Sequence, residues 1–445
     1  MDGALRREEI ERYSADFEAE PRNVVALNAV TRSDIREAAL NRAVVSGVDH
    51  TYSHVIKTGK ATAQGQTGRC WTFAGLNILR IYAMKRLNLE EFELSQPYIM
   101  FWDKLEKANY FLENVIETRG EPLDGRLVMW LLANIVPDAG QWDMFVNLVE
   151  KYGVLPKKFM PESKSSMASR DMNSSLVSKL RGCAKDLRVA HEGGASVEEL
   201  REAKAEMLGG IYRMLRIHLG TPPESFHWEW RDRDDVFHRR GEITPREFFE
   251  EYVGFDFDSM VCLINAPTRD KPFNRMYTVQ YLGNVVGGHR VRYLNVPIGV
   301  MKRAAMERVR DGKPVWFGAD AGKASHRELG VFDTEIYDYG SAYGTDFGLD
   351  KGERLNYGQS RMTHAMVFTG VDIEGDGSPR RWRVENSWGE EPGDKGFYTM
   401  SDGWFDEYTY EVIVDRTYLH EDLIRALETE PIILKPWDPM GALAL

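Results

Sequence analysis

The strongest constraint on this chain is a change of periodicity near residue 259. Upstream, apolar residues recur at spacings of three and four over long stretches, the signature of amphipathic helices. Downstream, short β-branched and aromatic runs are broken by turns: Met260-Val-Cys-Leu-Ile264, Tyr277-Thr-Val-Gln-Tyr281, Val315-Trp-Phe-Gly318, Ala365-Met-Val-Phe-Thr-Gly-Val371 and Trp382-Arg-Val-Glu-Asn386. A helix over 300–310 interrupts them. Helices first and strands last do not alternate as a doubly wound sheet requires, so the expected class is α+β.

Within the helical part, residues 6–20 read as a charged surface helix. Residues 70–86 carry Trp71, Ala74, Ile78, Leu79 and Tyr82 on one face, which predicts a core helix. Residues 95–160 continue mainly helical, and composition shifts near 163 to a charged helical stretch reaching about 235. There Ser196 and Glu199 form a capping box, a stripe from Val197 to Leu215 follows, and Gly220, Pro222 and Pro223 stop the helix.

Composition bounds what the chain can do. At 445 residues it can hold two or three units of domain size, and 43% hydrophobic with 11% aromatic content predicts a packed globular protein. A formal charge of −12 argues against charge-driven nucleic-acid binding. No apolar run reaches the roughly 18 residues a membrane span needs, and charges at Arg6, Arg7, Glu8 and Glu9 sit where a signal peptide would be apolar. Cys70, Cys183 and Cys262 are too few for a disulfide framework, so a reducing cytoplasm is the expected setting.

A lone cysteine is more often structural than reactive. Cys70 differs in its setting: the loop Gln64-Gly-Gln-Thr-Gly-Arg-Cys70 runs straight into the helical pattern. A helix N-terminus offers partial positive charge and unpaired N–H groups, both of which favour the nucleophilic thiolate. A thiolate needs a base, and His364 opens an apolar strand followed by the turn-rich 374–379 and a strand ending at Asn386. If these strands form a hairpin, its midpoint falls at Gly375 and His364 faces Asn386 at the open end. An asparagine oxygen can fix an imidazole ring while the other ring nitrogen faces the thiol. The side-chain amide of Gln64, beside the Cys70 backbone N–H, would supply oxyanion donors worth about 3–4 kcal/mol each.

These residues resemble the papain-like cysteine peptidases, and more specifically the bleomycin hydrolase and bacterial aminopeptidase C branch. The matching pieces span nearly the whole chain: residues 64–71, the block from Gly140-Gln-Trp-Asp-Met to Gly153, Thr363-His-Ala-Met366, Glu385-Asn-Ser-Trp-Gly389, and the closing Pro436-Trp-Asp-Pro-Met-Gly-Ala-Leu-Ala444. Ala63 departs from the family pattern, in which an asparagine precedes the glutamine, and Leu445 extends the familiar ending. The resemblance implies a papain-like core made of a helical half and an antiparallel β half, with a large helical insertion. It divides the chain into 1–162 with Cys70, an insertion over 163–258 used for oligomerisation, a β-rich half over 259–435 with His364 and Asn386, and a C-terminal arm over 436–445 reaching the active-site cleft. It implies Cys70 as nucleophile, His364 as base and acid, Asn386 as orienter, Gln64 as oxyanion donor and Trp388 as a shield over the His364–Asn386 pair. It further implies a homohexamer, and a terminal carboxylate, here that of Leu445, that binds the free α-amino group of a peptide substrate.

The expected activity is therefore that of a cysteine aminopeptidase, with no metal and no cofactor. Two alternatives stand beside it: hydrolysis mainly of non-peptide amides or thiolactones, and a ring-shaped protein that binds nucleic acid or peptide. Other signals carry little. Gly318-Ala-Asp-Ala-Gly-Lys323 lacks the spacing and hydroxyl of a phosphate loop, Asp372 to Arg383 lacks the closing glutamate of a calcium loop, and His50 with His54 has no third metal ligand.

Overall fold

A computed structural model of the chain describes residues 3–442. Leu445, the expected terminal carboxylate, lies outside the described residues. The helix Cys70–Leu87 begins at Cys70, with Arg69 in the N-cap position. The expectation of one apolar face was too narrow: every residue from Cys70 to Arg80 is buried. The helix is enclosed because it runs along the seam between the helical and β-rich parts, in contact with both.

On its helical side stand Gln96–Glu117 and Trp142–Tyr152. Ser95 caps the first of these by accepting from the Tyr98 amide, and a proline sits in the first turn where no amide is needed. The charged stretch after 163 folds into the long helices Arg170–Glu192 and Val197–Leu219, the second with the expected Ser196–Glu199 capping box and Gly220 as its stop. Their apolar stripes, among them Leu180, Leu187, Leu200 and Leu215, join the same core as the Cys70 helix. The expectation of a charged helical stretch reaching about 235 missed a hairpin, Phe226–Arg231 with Phe237–Ile243, whose aromatic Phe226 and Trp228 are buried.

The β-rich part centres on His364–Ile373, which pairs antiparallel with Pro379–Glu385 on one side and Val315–Ala319 on the other. Val315–Ala319 pairs in turn with Thr409–Asp415, and that strand with Met260–Ile264. The expected antiparallel half is a mixed sheet, since three of its pairings run parallel. One face of this sheet sends Ala365, Val367 and Trp316 towards the Cys70 helix; the other buries Met366, Phe368 and Phe317 in a second core. Alternation along each strand thus serves two cores, and the site forms where the first meets the strand ends.

Candidate active site

Cys70 occupies the first turn of its helix and has no accessible surface. Its Sγ accepts from the Ala365 backbone N–H at 3.3 Å, which ties the helix start to the residue after His364. His364 Nε2 lies 2.8 Å from Asn386 Oδ1, and that oxygen also accepts from the Ser387 N–H at 2.8 Å. An atom receiving the Ser387 amide hydrogen is an oxygen, so Nε2 carries the ring hydrogen and Nδ1 holds the free lone pair. Asn386 thereby selects the tautomer in which Nδ1 is the basic nitrogen.

The pairing arises through a register different from the one expected. Val367↔Glu385 and Phe368↔Val384 centre the hairpin on 376, one residue beyond Gly375. Continued to the open end, that register brings Trp388 rather than Asn386 opposite His364. The Trp388 ring stacks on the imidazole, with centroids 4.9 Å apart. Asn386 still reaches His364 because it follows the last paired residue, where the chain is released from the ladder.

Gln64 is close by, and its amide is already engaged. Nε2 donates to the Thr67 carbonyl at 2.5 Å and Oε1 accepts from Ser387 Oγ at 2.5 Å, while the Gln64 backbone N–H donates to the Ser387 carbonyl. One N–H of the amide remains for an oxyanion. The Gln64–Cys70 loop needs close approach elsewhere: a Cβ at Gly65, whose φ is +65°, would meet the Met167 carbonyl at 2.4 Å, and one at Gly140 would meet the Trp71 ring at 2.5 Å.

Burial and the helix start act on the Cys70 thiol in opposite directions. Burial pushes the Cys70 thiol up to about 12, although N–H groups of Ala365, Trp71 and Cys70 itself pull the other way. Burial pushes His364 down to about 4 against its hydrogen bond to Asn386. Taken singly, each group is pushed towards its neutral form, because burial penalises an isolated charge.

Several residues that hold this arrangement were missed in the sequence reading. Arg80, on the Cys70 helix, forms a buried ion pair with Glu385, the residue before Asn386. Arg69 is buried and donates to the Ser166 carbonyl at 2.6 Å beside Glu162. Asp138 accepts from Gly68 in the same loop. Each is a charged residue whose partner lies far along the chain, so spacing carries no signal for it.

A cavity of about 580 Å³ is lined by Gly140, Gln141, Ser360 and Arg361 and by Pro436, Trp437, Asp438, Pro439, Gly441 and Ala442 of the C-terminal arm. Residues Pro439–Gly441 form a short 3₁₀ turn started by Asp438, whose carboxylate pairs with buried Lys271 at 3.0 Å, and Met440 is buried. The arm is docked up to its last described residue.

The Peptidase C1-like family model matches residues 4–441. Aminopeptidase C of Listeria monocytogenes is 46% identical over 445 residues, covering all of both chains. Human bleomycin hydrolase is 45% identical, covering 99% of each chain. The crystal structure of PepW from Lactobacillus rhamnosis superposes with a TM-score of 0.98 at 45% identity, covering 99% of this chain and all of that one. The chain belongs to the Peptidase C1-like family, with the papain-like α+β fold. Within that family it is a cysteine aminopeptidase of the branch that holds aminopeptidase C and bleomycin hydrolase.

Proposed function

We propose that the enzyme removes N-terminal residues from peptides through an acyl-enzyme on Cys70. Nδ1 of His364 takes the thiol proton, Sγ adds to the scissile carbonyl, and the carbonyl oxygen takes the charge between the Cys70 backbone N–H and the free N–H of Gln64. The imidazolium then returns the proton to the leaving amine, and water attacks the thioester with His364 again as base. Asn386 keeps the ring in the working tautomer, and Trp388 covers that hydrogen bond. The observation that carries this reading is the convergence of Cys70, the Ala365 amide, His364 and Asn386 at one seam.

The chain's own C-terminal carboxylate selects substrates with a free amino group. Support comes from the docking of 436–442 along the cavity beside Gly140 and Arg361. A carboxylate near that cavity would favour a protonated N-terminus over a blocked one. The direct test is hydrolysis of matched aminoacyl fluorogenic substrates with free and blocked N-termini, using the full chain and a variant ending at Ala442. The full chain is expected to cleave only the free form, and the truncated one to gain activity on the blocked form. An unchanged ratio between the two overturns the selector.

We further infer a cytoplasmic homohexamer. The long helices leave Val189 and Ile217 exposed at 56% and 76%, apolar surface that a subunit contact would cover. The three cysteines are unpaired, and among the described residues no helix is long and apolar enough to cross a membrane. Light scattering on the purified enzyme and fractionation of the source cells test these two points.

A further inference from the structure

Asp138 touches both flanks of Cys70. Its Oδ2 accepts from the Gly68 backbone N–H at 3.1 Å, two residues before the cysteine. Its own carbonyl accepts from the Trp71 indole N–H at 2.6 Å, one residue after it. The rest of the carboxylate is saturated by donors: Ser169 Oγ at 2.5 Å on Oδ2, and Asn173 Nδ2 at 2.8 Å and Lys104 Nζ at 2.7 Å on Oδ1. Three of these four donors have no lone pair to offer, so only an ionised carboxylate satisfies the set. An asparagine would turn an NH₂ group onto other donors, and an alanine would leave Lys104, itself buried, without a counter-charge. Asn173 lies on the Arg170–Glu192 helix and Ser169 immediately precedes it, so the carboxylate joins the long-helix segment to the nucleophile loop.

We propose that Asp138 is a positioning residue for the reaction: it fixes the Gly68–Trp71 backbone, and with it the Cys70 N–H that faces the oxyanion, and it makes the Arg170–Glu192 helix part of the active-site scaffold. This rests on the reading of Cys70 as nucleophile. A small displacement of one oxyanion donor weakens a bond that matters in the transition state more than in substrate binding, so the loss falls on kcat. Asp138 also bears on the thiol directly, since its negative charge opposes thiolate formation.

The test combines steady-state kinetics with the pH dependence of Cys70 alkylation by iodoacetamide, followed on the Cys70 peptide by mass spectrometry. Asp138→Asn is expected to lower kcat by about 10–100-fold with KM within about threefold. It is also expected to move the alkylation profile to lower pH, because a negative charge near the thiol is gone while Lys104 stays. A merely structural role would lower the folded fraction and leave that profile in place. Should Asp138→Asn fail to fold, Ser169→Ala and Asn173→Ala keep the carboxylate and Lys104. They are expected to lower kcat by about 3–10-fold each, with an unmoved alkylation profile. A folded Asp138→Asn enzyme with kcat within about twofold of wild type and an unmoved profile overturns the proposal, as do Ser169→Ala and Asn173→Ala variants that both keep full kcat. Alkylation needs no turnover, so the outcome is separate from the nucleophile reading, which falls instead if Cys70→Ala retains activity.

Discussion

Cys70 and Cys262 share one hydrophobic core, and both are buried. Burial raises both thiols, Cys70 to about 12 and Cys262 well above the usual range. Their neighbours differ in kind. Cys262 donates its S–H to Glu411 Oε1 at 2.8 Å, and burial pushes that carboxyl up to about 8. Two acids face each other there, and ionising either one makes the other harder to ionise. Cys70 instead accepts from the backbone N–H of Ala365, the residue after His364, whose Nδ1 is free to accept a proton. Moving the proton at Cys262 would leave a thiolate against an acid; on the proposed mechanism, moving it from Cys70 to His364 yields an ion pair. Burial alone therefore does not separate a reactive cysteine from an inert one. The sign of the charge on the neighbour after proton transfer does.

The comparison breaks most sharply in activity. Cys70→Ala is expected to lower turnover by at least about 10⁴-fold with the thermal unfolding midpoint retained, whereas Cys262→Ala should keep kcat within about threefold and lower stability instead. Equal losses of turnover in the two variants would erase the distinction. Next comes the ring orienter: Asn386→Ala is expected to lower kcat by about 10²-fold, because His364 loses its tautomer and its Trp388-covered partner. Steady-state rates on an N-free aminoacyl substrate check both.

Stability against pH sharpens the same contrast. Glu411 goes from 4.5 unfolded to about 8 folded, so its contribution is fully present below 4.5 and is lost as pH rises through 8. Glu411→Gln, which stays neutral, should be more stable than wild type at pH 8 by on the order of 3 kcal/mol and indistinguishable at pH 4.5, by denaturant unfolding. His364 shifts the opposite way, from 6.5 to about 4, so its contribution is present above 6.5 and is lost as pH falls through 4. His364→Gln should flatten that acid-side loss by on the order of 2 kcal/mol. Identical slopes in wild type and variant would mean that the imidazole is not held in a dry seam.

Much of the fold and site was legible because local pattern carried it. The cysteine at a helix start, the Ser196 capping box and the strand beginning at His364 are all signalled by residues within one turn or one strand. The hairpin arithmetic erred by one residue because the turn over 374–378 and the irregularity between Phe368 and Gly370 shift the register, which composition does not specify. The Phe226–Ile243 hairpin was hidden because its strands are charged on the exposed side and interleave Trp with Glu and Arg. Asp138, Glu162 and Arg80 read in sequence as ordinary surface charges; their roles come from partners that only folding brings near. The two influences on Cys70 differ in the same way: the helix start is a local signal, while the burial that works against it comes from the whole seam.

The most direct test of the central claim is to treat the native enzyme with iodoacetamide at neutral pH and follow, in the same samples, residual aminopeptidase activity and the modification of each cysteine peptide by mass spectrometry. Activity is expected to fall in step with modification of Cys70, while Cys183 and Cys262 react only after unfolding. Full activity with Cys70 completely alkylated, or inactivation that follows Cys262 instead, would contradict the account.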